Sequence, residues 1–519
     1  MHQIYNNLQL SFLVIAGFFI IGSIVFFLSN RNKNALVFLF FGALILGLFM
    51  GMLDSYVNYW DEQFHMLVAK NMMDNPFNPM LYKNPVLGCD PGIWISNHIW
   101  LHKQPLFLWQ MALSMKIFGA TPLAGRLPSI IMFAVMVLLV YKIGKNMAKE
   151  RIGYYAALLF VCCNYVLEMV SGFRSTDHND VAFMFYTTAS IWAWTEYMGH
   201  KKLKWVFLIG LFAGAAVLNK WLVGLLVYGG WGISVLLNKE ERAKLISYLH
   251  LLLAFFVSVV VSLPWQIYTF LRFPVEAKIE YQYNLSHFTH AVENHSGDWT
   301  YHFQHIQTLY GEGDLVPWVL LVGFVALLFV MKKSSSRIFT LFAVVAVYGF
   351  YSIAATKMIS FTVILAPFAF LSFGALLDAI HRKLALRFSK LAPSALIMGP
   401  VMLIFCSFSL NFPSISKNHA ESQENGYKKV KDHELVVFDY LIRQQPDTSY
   451  TFFNVPIYSQ VPFMFHKGVH AAYDGCPNEE QFTRLKNQNV KFVVYDNHEN
   501  IIPSYILEDS TLQIIKHYP

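Results

Sequence analysis

Residues 8–28 read LQLSFLVIAGFFIIGSIVFFL, a run without one charged side chain. The hydrocarbon core of a bilayer takes ~20 such residues as a helix, because a helix satisfies its own backbone N–H and C=O groups where no water can. Apolar windows of this kind recur near 9–29, 35–54, 128–147, 152–171, 180–198, 203–218, 221–238, 247–270, 314–331, 337–355, 360–380 and 394–411. The chain is therefore expected to be an α-helical polytopic membrane protein with about 12 transmembrane helices. Composition agrees: of 519 residues 55% are hydrophobic and only 14% charged, against about a quarter charged in soluble domains. The apolar segment 104–119 is read as lying in the membrane interface. The first run is read as a retained helix and not a signal peptide, since Arg31 and Lys33 follow it.

Charge orients these helices. NRNK, KIGKNMAKER, HKKLK, NKEERAK, MKKSSSR and HRKLALR are short basic loops that occupy alternate connections. Such loops face the cytoplasm. The formal charge of +7 resides largely in them, so it signals membrane topology and no nucleic-acid partner. The other connections, 55–127, 172–180, 219–220, 271–313 and 356–359, then face outward. A division into a transmembrane domain, 1–411, and a periplasmic α/β domain, 412–519, follows from the polar turn in composition. Within the latter SYTFFNV, HAAYD, KFVVYD and LQIIKHY read as strands, and SQVPFMF and EEQFTRLKNQ as helices. Cys89 and Cys476 share the oxidising side, which permits a disulfide; free thiols are expected.

Asp61, Glu62, His102, Lys103, Arg126, Asp177, Asp180, Lys220 and Lys357 all fall in outer loops or at outer helix ends. Each has an ordinary explanation. Asp61 and Glu62 open a helical pattern, Phe64, Leu67, Val68 and Met72, and acids favour a helix N-terminus. Asp177 and Asp180 suit a cap, and Lys220 and Lys357 suit snorkelling. Their gathering at one depth points instead to a site, because ionisable groups are costly near a bilayer. The helix over 61–72 is expected to lie on the outer membrane surface. A transporter would place its charges near the midplane, in inverted repeats, and no repeat is seen. A lipid or glycan transporter remains the rival reading, with an inactive membrane scaffold behind it.

WDEQFHMLVAKNM followed by HKQPLFLWQMALSMKIFGATPLAGRLPS resembles the start of the GT-C membrane glycosyltransferases, whose pattern is a DE pair, KPPL, FG and ARLPS. STDHNDVAFMF, AAVLNKWLVGLL and AATKMISFTVILAPFAFL follow in the family's order, so the likeness spans about residues 55–380. It is nearest the family-39-like enzymes, which include protein mannosyltransferases and the aminoarabinose transferase of lipid A. The sequence departs from the pattern at Gln104, at Trp221-Leu222 in place of Gly-Pro, and at His102 where an acid is common.

The resemblance implies a sugar transferred from a polyprenyl phosphate to a lipid A, glycan or protein acceptor, in contact with membrane lipids, at the periplasmic face of a bacterial inner membrane. A protein O-mannosyltransferase-like activity is the alternative within the family. The absence of a P-loop or GxGxxG fits a donor that needs no nucleotide pocket. Asp61 is then the base that takes the acceptor proton, with Glu62 orienting it or binding substrate, and Asp180 the second catalytic acid. Lys103 is expected across the sugar from Asp61, holding the leaving phosphate, with Arg126, Lys220 and Lys357 in support and Asp177 as a further substrate contact. His287, His290, His295, His302 and His305 crowd one outer loop, but no zinc spacing fits them. No cofactor is required by this reading. Should a divalent metal bind, His287 with His102 is the expected pair, and His290 stands where some relatives place an arginine against phosphate.

Overall fold

The computed structural model describes residues 5–175, 177–387, 394–419 and 426–518. Its first ten long helices are α1 (Asn7–Leu28), α2 (Asn32–Gly51), α3 (Asp61–Met72), α4 (Pro105–Phe118), α5 (Pro122–Met147), α6 (Glu150–Val161), α7 (Asn164–Val170), α8 (Asp177–His200), α9 (Leu203–Lys220) and α10 (Leu226–Leu237). Sequence sets their ends. Asn6 and Gln9 form a capping box on α1, and Pro105 and Pro122 open α4 and α5, where a missing N–H costs nothing. Pro128 inside α5 leaves the carbonyl of Ala124 without its helical donor, and Ser114 Oγ supplies one at 2.6 Å.

Among the described residues eight helices are long and apolar enough to cross a membrane, or nine if the bent pair α6 and α7 is one span. This is fewer than the twelve expected, for physical reasons. Helix α8 carries Asp177, His178, Asn179, Asp180 and Glu196 and is buried along most of its length. The Val316–Val330 helix has only 15 residues. The 35-residue apolar run Leu203–Leu237 counts once, yet it reverses at Trp221. The Lys201–Glu241 ion pair at 2.9 Å brings the start of α9 against the end of α10.

All six basic loops meet at one end of the bundle. Lys332 N bonds Met147 O at 2.8 Å and Lys333 Nζ bonds Met198 O at 2.7 Å. Asn32 reaches Glu150, and buried Asp378 collects Arg151 at 2.9 Å, Arg382 at 3.2 Å and Lys149 at 3.8 Å.

The outer connections and the α/β part meet at the other end. Strands β1 (Thr451–Phe453), β2 (Ala471–Ala472), β3 (Phe492–Tyr495) and β4 (Ile514–Ile515) form a parallel sheet in the order β2-β1-β3-β4. All four fall in the stretches read as strands. Its Gln460–Lys467 helix packs on α3, where Lys70 Nζ donates to Phe465 O at 2.5 Å. Helix α3 is therefore not the surface helix expected: ten of its twelve residues are buried, because this second layer covers its outer face. Cys89 and Cys476 are free thiols.

In a background with Cys89 and Cys476 replaced by serine, Val430→Cys, on a residue 57% exposed, is expected to react with a membrane-impermeant thiol reagent added outside intact spheroplasts. Lys202→Cys is expected to react only after permeabilisation. The reverse pattern would invert the orientation.

Candidate active site

Two rows of charges lie side by side at the outer end. The inner row is built on Glu62, which is wholly buried in the first turn of α3. Arg126 of α5 meets it with two parallel bonds, Nε to Oε1 at 2.7 Å and Nη2 to Oε2 at 2.8 Å. Its other donors go to Gly51 O at 3.0 Å, Asp54 O at 2.6 Å and Tyr56 O at 2.8 Å. All five guanidinium N–H groups are thereby used. Arg126, expected at the substrate, has none left for a phosphate and instead holds the turn that presents the acids. Glu62 likewise faces protein, accepting Asn58 N at 2.5 Å and bonding His178 Nε2 at 3.2 Å, while His178 Nδ1 reaches Ser129 Oγ at 2.9 Å. Burial alone would raise the Glu62 carboxyl; Arg126 and His178 overcome this and hold it down to about 2.

The GRLPS stretch thus works as a bracket. A Cβ on Gly125 would collide with Met66, and one on Gly172, whose φ is +79°, would collide with the Glu62 carboxylate. Asp54 extends the bracket to the C-terminal side. Its carboxylate bonds His419 Nδ1 at 2.9 Å, both side chains being buried, and accepts from Tyr56 and Asn58. Burial opposes the charge on Asp54, and His419 and Arg126 restore it, leaving the carboxyl below its ordinary value.

The second row opens toward solvent. Asp61 Oδ2 lies 3.9 Å from Lys103 Nζ, and the lysine side chain is 17% exposed. The two were expected on opposite faces of a sugar; here they form an ion pair with no room for a ring between them. Lys220 pairs with Asp180 and lies over the Phe361 ring at 4.8 Å. Behind this row, with neither side chain exposed, Asp177 Oδ1 shares a 2.8 Å hydrogen bond with His65 Nδ1, so Asp177, expected as a substrate contact, is enclosed by protein. Burial drives the His65 imidazole down to about 4, against the pull of Asp61. Two aromatic residues flank this row in strained backbone: Trp60 (φ 74°) precedes Asp61, and Trp221 (φ 58°) follows Lys220. Left-handed φ at bulky residues costs on the order of 1–3 kcal/mol and clusters at functional sites.

Lys357, expected beside phosphate, gives its ammonium to the carbonyls of Tyr351 at 2.9 Å, Ser352 at 2.7 Å and Ala354 at 2.5 Å. It caps the Ser334–Ile353 helix, whose last carbonyls lack partners. His290 is exposed, bonds Thr289 Oγ1 at 2.8 Å and accepts Thr356 Oγ1 on its carbonyl, so it belongs with Lys357 to a second junction. His102 stacks on Trp94 at 4.3 Å and approaches Glu280 at 3.4 Å. The Tyr283 ring touches both His102, at 5.3 Å, and His287, at 5.1 Å. Burial, then Lys103, lowers both imidazoles, His287 to about 4. Neutral rings suit a metal, but among the described residues no three His, Cys, Asp or Glu side chains are placed so that they could hold a metal ion. The expected metal pair does not fit a metal centre.

The sequence reading passed over His65, His178 and His419. His65 was detectable as the residue four beyond Asp61 on one helix face, and His178 stands next to Asp177. No local signal marks His419.

The arrangement of helices is that of solved GT-C glycosyltransferases: the chain is a multi-pass membrane protein with the GT-C fold. It is similar to ArnT from Cupriavidus metallidurans bound to undecaprenyl phosphate, with TM-score 0.60 and 14% identity over 88% of this chain and 89% of that one. It is also similar to the archaeal oligosaccharyltransferase AglB from Archaeoglobus fulgidus in complex with an inhibitory peptide and a dolichol-phosphate, with TM-score 0.55 and 11% identity over 89% and 69%. Residues 102–268 match the dolichyl-phosphate-mannose-protein mannosyltransferase family. An uncharacterized protein of Aquifex aeolicus (strain VF5) is 25% identical over 201 residues, a match spanning 38% of this chain and 37% of that relative's length.

Removing one partner of a buried pair costs about 3–5 kcal/mol, so Glu62→Gln is expected to lower the thermal midpoint of the detergent-purified protein sharply. The Glu62 carboxyl titrates near 4.5 ordinarily and near 2 in the fold. Its stabilisation is therefore complete above pH 4.5 and lost as pH falls toward 2. Melting curves across that range should fall for the wild type and stay flatter for Glu62→Gln.

Proposed function

We propose that this chain is a glycosyltransferase that moves a sugar from a polyprenyl-phosphate donor to an acceptor hydroxyl at the periplasmic face of a bacterial inner membrane, with the region after residue 411 as its periplasmic domain. The observation that carries this reading is the Asp61–Lys103 pair, 3.9 Å apart at the solvent-facing edge of a buried acid-and-lysine cluster. The lipid phosphates held by the two solved relatives support the donor class.

The two side chains divide the chemistry. A hydroxyl is a poor nucleophile, and Asp61 takes its proton as the acceptor oxygen bonds to the anomeric carbon. The bond from that carbon to the phosphate oxygen breaks on the opposite face, which inverts the centre. The polyprenyl phosphate leaves with the electron pair, and Lys103 balances the charge that builds on it. An arriving donor phosphate draws Lys103 toward itself and away from Asp61. Lys220, held by Asp180, is the second cation within reach of the phosphate.

Asp61→Asn is expected to lower turnover by about 10²–10⁴-fold while undecaprenyl-phosphate binding to the purified variant is retained. Lys103→Ala is expected to weaken both binding and turnover, and Lys103→Arg to keep part of each. Normal turnover in Asp61→Asn at wild-type expression would refute the assignment. The product is sought by comparing lipid A, surface glycans and glycoproteins of deletion and complemented cells by mass spectrometry.

A further inference from the structure

Six aromatic rings form an unbroken ribbon past the proposed site. From Tyr458 it runs to Tyr59 (centroids 6.3 Å apart), Trp60 (5.6 Å), Trp94 (5.8 Å), His102 (4.3 Å) and Tyr283 (5.3 Å). Three separate segments supply it: the loop after β1, the 55–127 connection and the 271–313 connection. It passes Asp61 at Trp60 and Lys103 at His102. Exposure falls along it, from 56% at Tyr458 and 39% at Tyr59 to 8% at both Trp94 and His102. Beyond these the ribbon ends at half-buried Tyr283, and Glu293 Oε1 fixes this part by accepting Trp94 Nε1 at 2.7 Å and the Tyr283 hydroxyl at 2.8 Å.

Two members of the ribbon are held in backbone that bulky residues avoid, Trp60 at φ 74° and Tyr458 at φ 62°. Strain of that kind persists where the fold gains something from the placement. The Tyr458 loop leaves the carboxyl end of β1, between β1 and β3, where the sheet's strand order changes direction. In open parallel sheets that crevice is where ligands bind.

We infer that the exposed end of this ribbon, Tyr458, Tyr59 and Trp60, binds the sugar rings of a saccharide acceptor and leads its hydroxyl to Asp61. The inference rests on the transferase reading above and names its acceptor class. Ring faces with hydroxyl edges match pyranose rings, which present an apolar C–H face and a polar rim. An acyl tail would call for a deep, mainly apolar cleft, such as the ~550 Å³ one lined by Ile306, Leu320, Leu321, Phe324, Val344 and Val345 elsewhere in the bundle.

The test uses the full chain in detergent, with intrinsic tryptophan fluorescence as one readout and direct binding as the other. The probes are three fractions from cells lacking the gene: sugar chains released by mild acid, envelope proteins, and vesicles of the extracted phospholipids. Saturable binding to the released sugar chains is expected. Tyr458→Gly accepts φ 62° without strain but removes the ring, so it should fold and bind about tenfold more weakly. Tyr458→Trp should keep most of the affinity. Binding is read apart from turnover, so a failed base assignment leaves this result untouched. Binding confined to the protein or vesicle fraction, no saturable binding to the sugar chains, or unchanged sugar affinity in Tyr458→Gly would each overturn the inference.

Discussion

The outer end of this protein depends on one buried ion pair, Arg126 with Glu62. Neither side chain touches solvent. Taking both charges out of water carries a desolvation cost that their attraction does no more than offset, and a hydrophobic pair of equal volume would serve stability as well. What the pair adds is definition. A guanidinium with five directed donors accepts one arrangement of α5, the turn after α2 and the start of α3, and through His178 it fixes the start of α8. Asp61 is the residue next to Glu62. Its position is therefore set by geometry that no loop packing of similar energy would reproduce.

The contrast with the opposite end is instructive. There Lys201–Glu241 and Lys145–Glu150 join lysine side chains more than 40% exposed, and such pairs contribute about 0–1 kcal/mol each. They mark a water-facing surface and nothing more. At the outer end exposure separates roles. Pairs with no exposed atom, such as Arg126–Glu62 and His419–Asp54, hold the frame. Pairs whose lysine is partly exposed, Lys103–Asp61 and Lys220–Asp180, are the ones open to solvent, and the proposed chemistry is placed there.

Much of the architecture was legible in the sequence, and for identifiable reasons. Apolar windows have the length of a span, positive charge marks alternate loops, and short apolar runs bounded by polar residues marked all four strands. The window count overshot the helices that meet length and apolarity, since α8 buries four polar residues in one turn. At the site, residue types told which groups would gather but not which would face each other. Arg126 and Lys357 were read as phosphate ligands because a lone cation at a helix end looks alike whether it awaits an anion or caps carbonyls. The surface placement of α3 failed because its cover lies about 400 residues later. His419 was invisible for the same reason: its partner, Asp54, is 365 residues away.

The His419–Asp54 bond also bears on how the molecule is made. Asp54 is one of the first outer residues to emerge, and His419 is the final residue of the last long apolar stretch, Ile397–His419. During synthesis the turn that carries Asp61 must wait, with Asp54 charged and unclosed, until nearly every other helix has entered the bilayer. The turn that carries Asp61 is thus closed late in biogenesis, by one of the last segments of the bundle to be made.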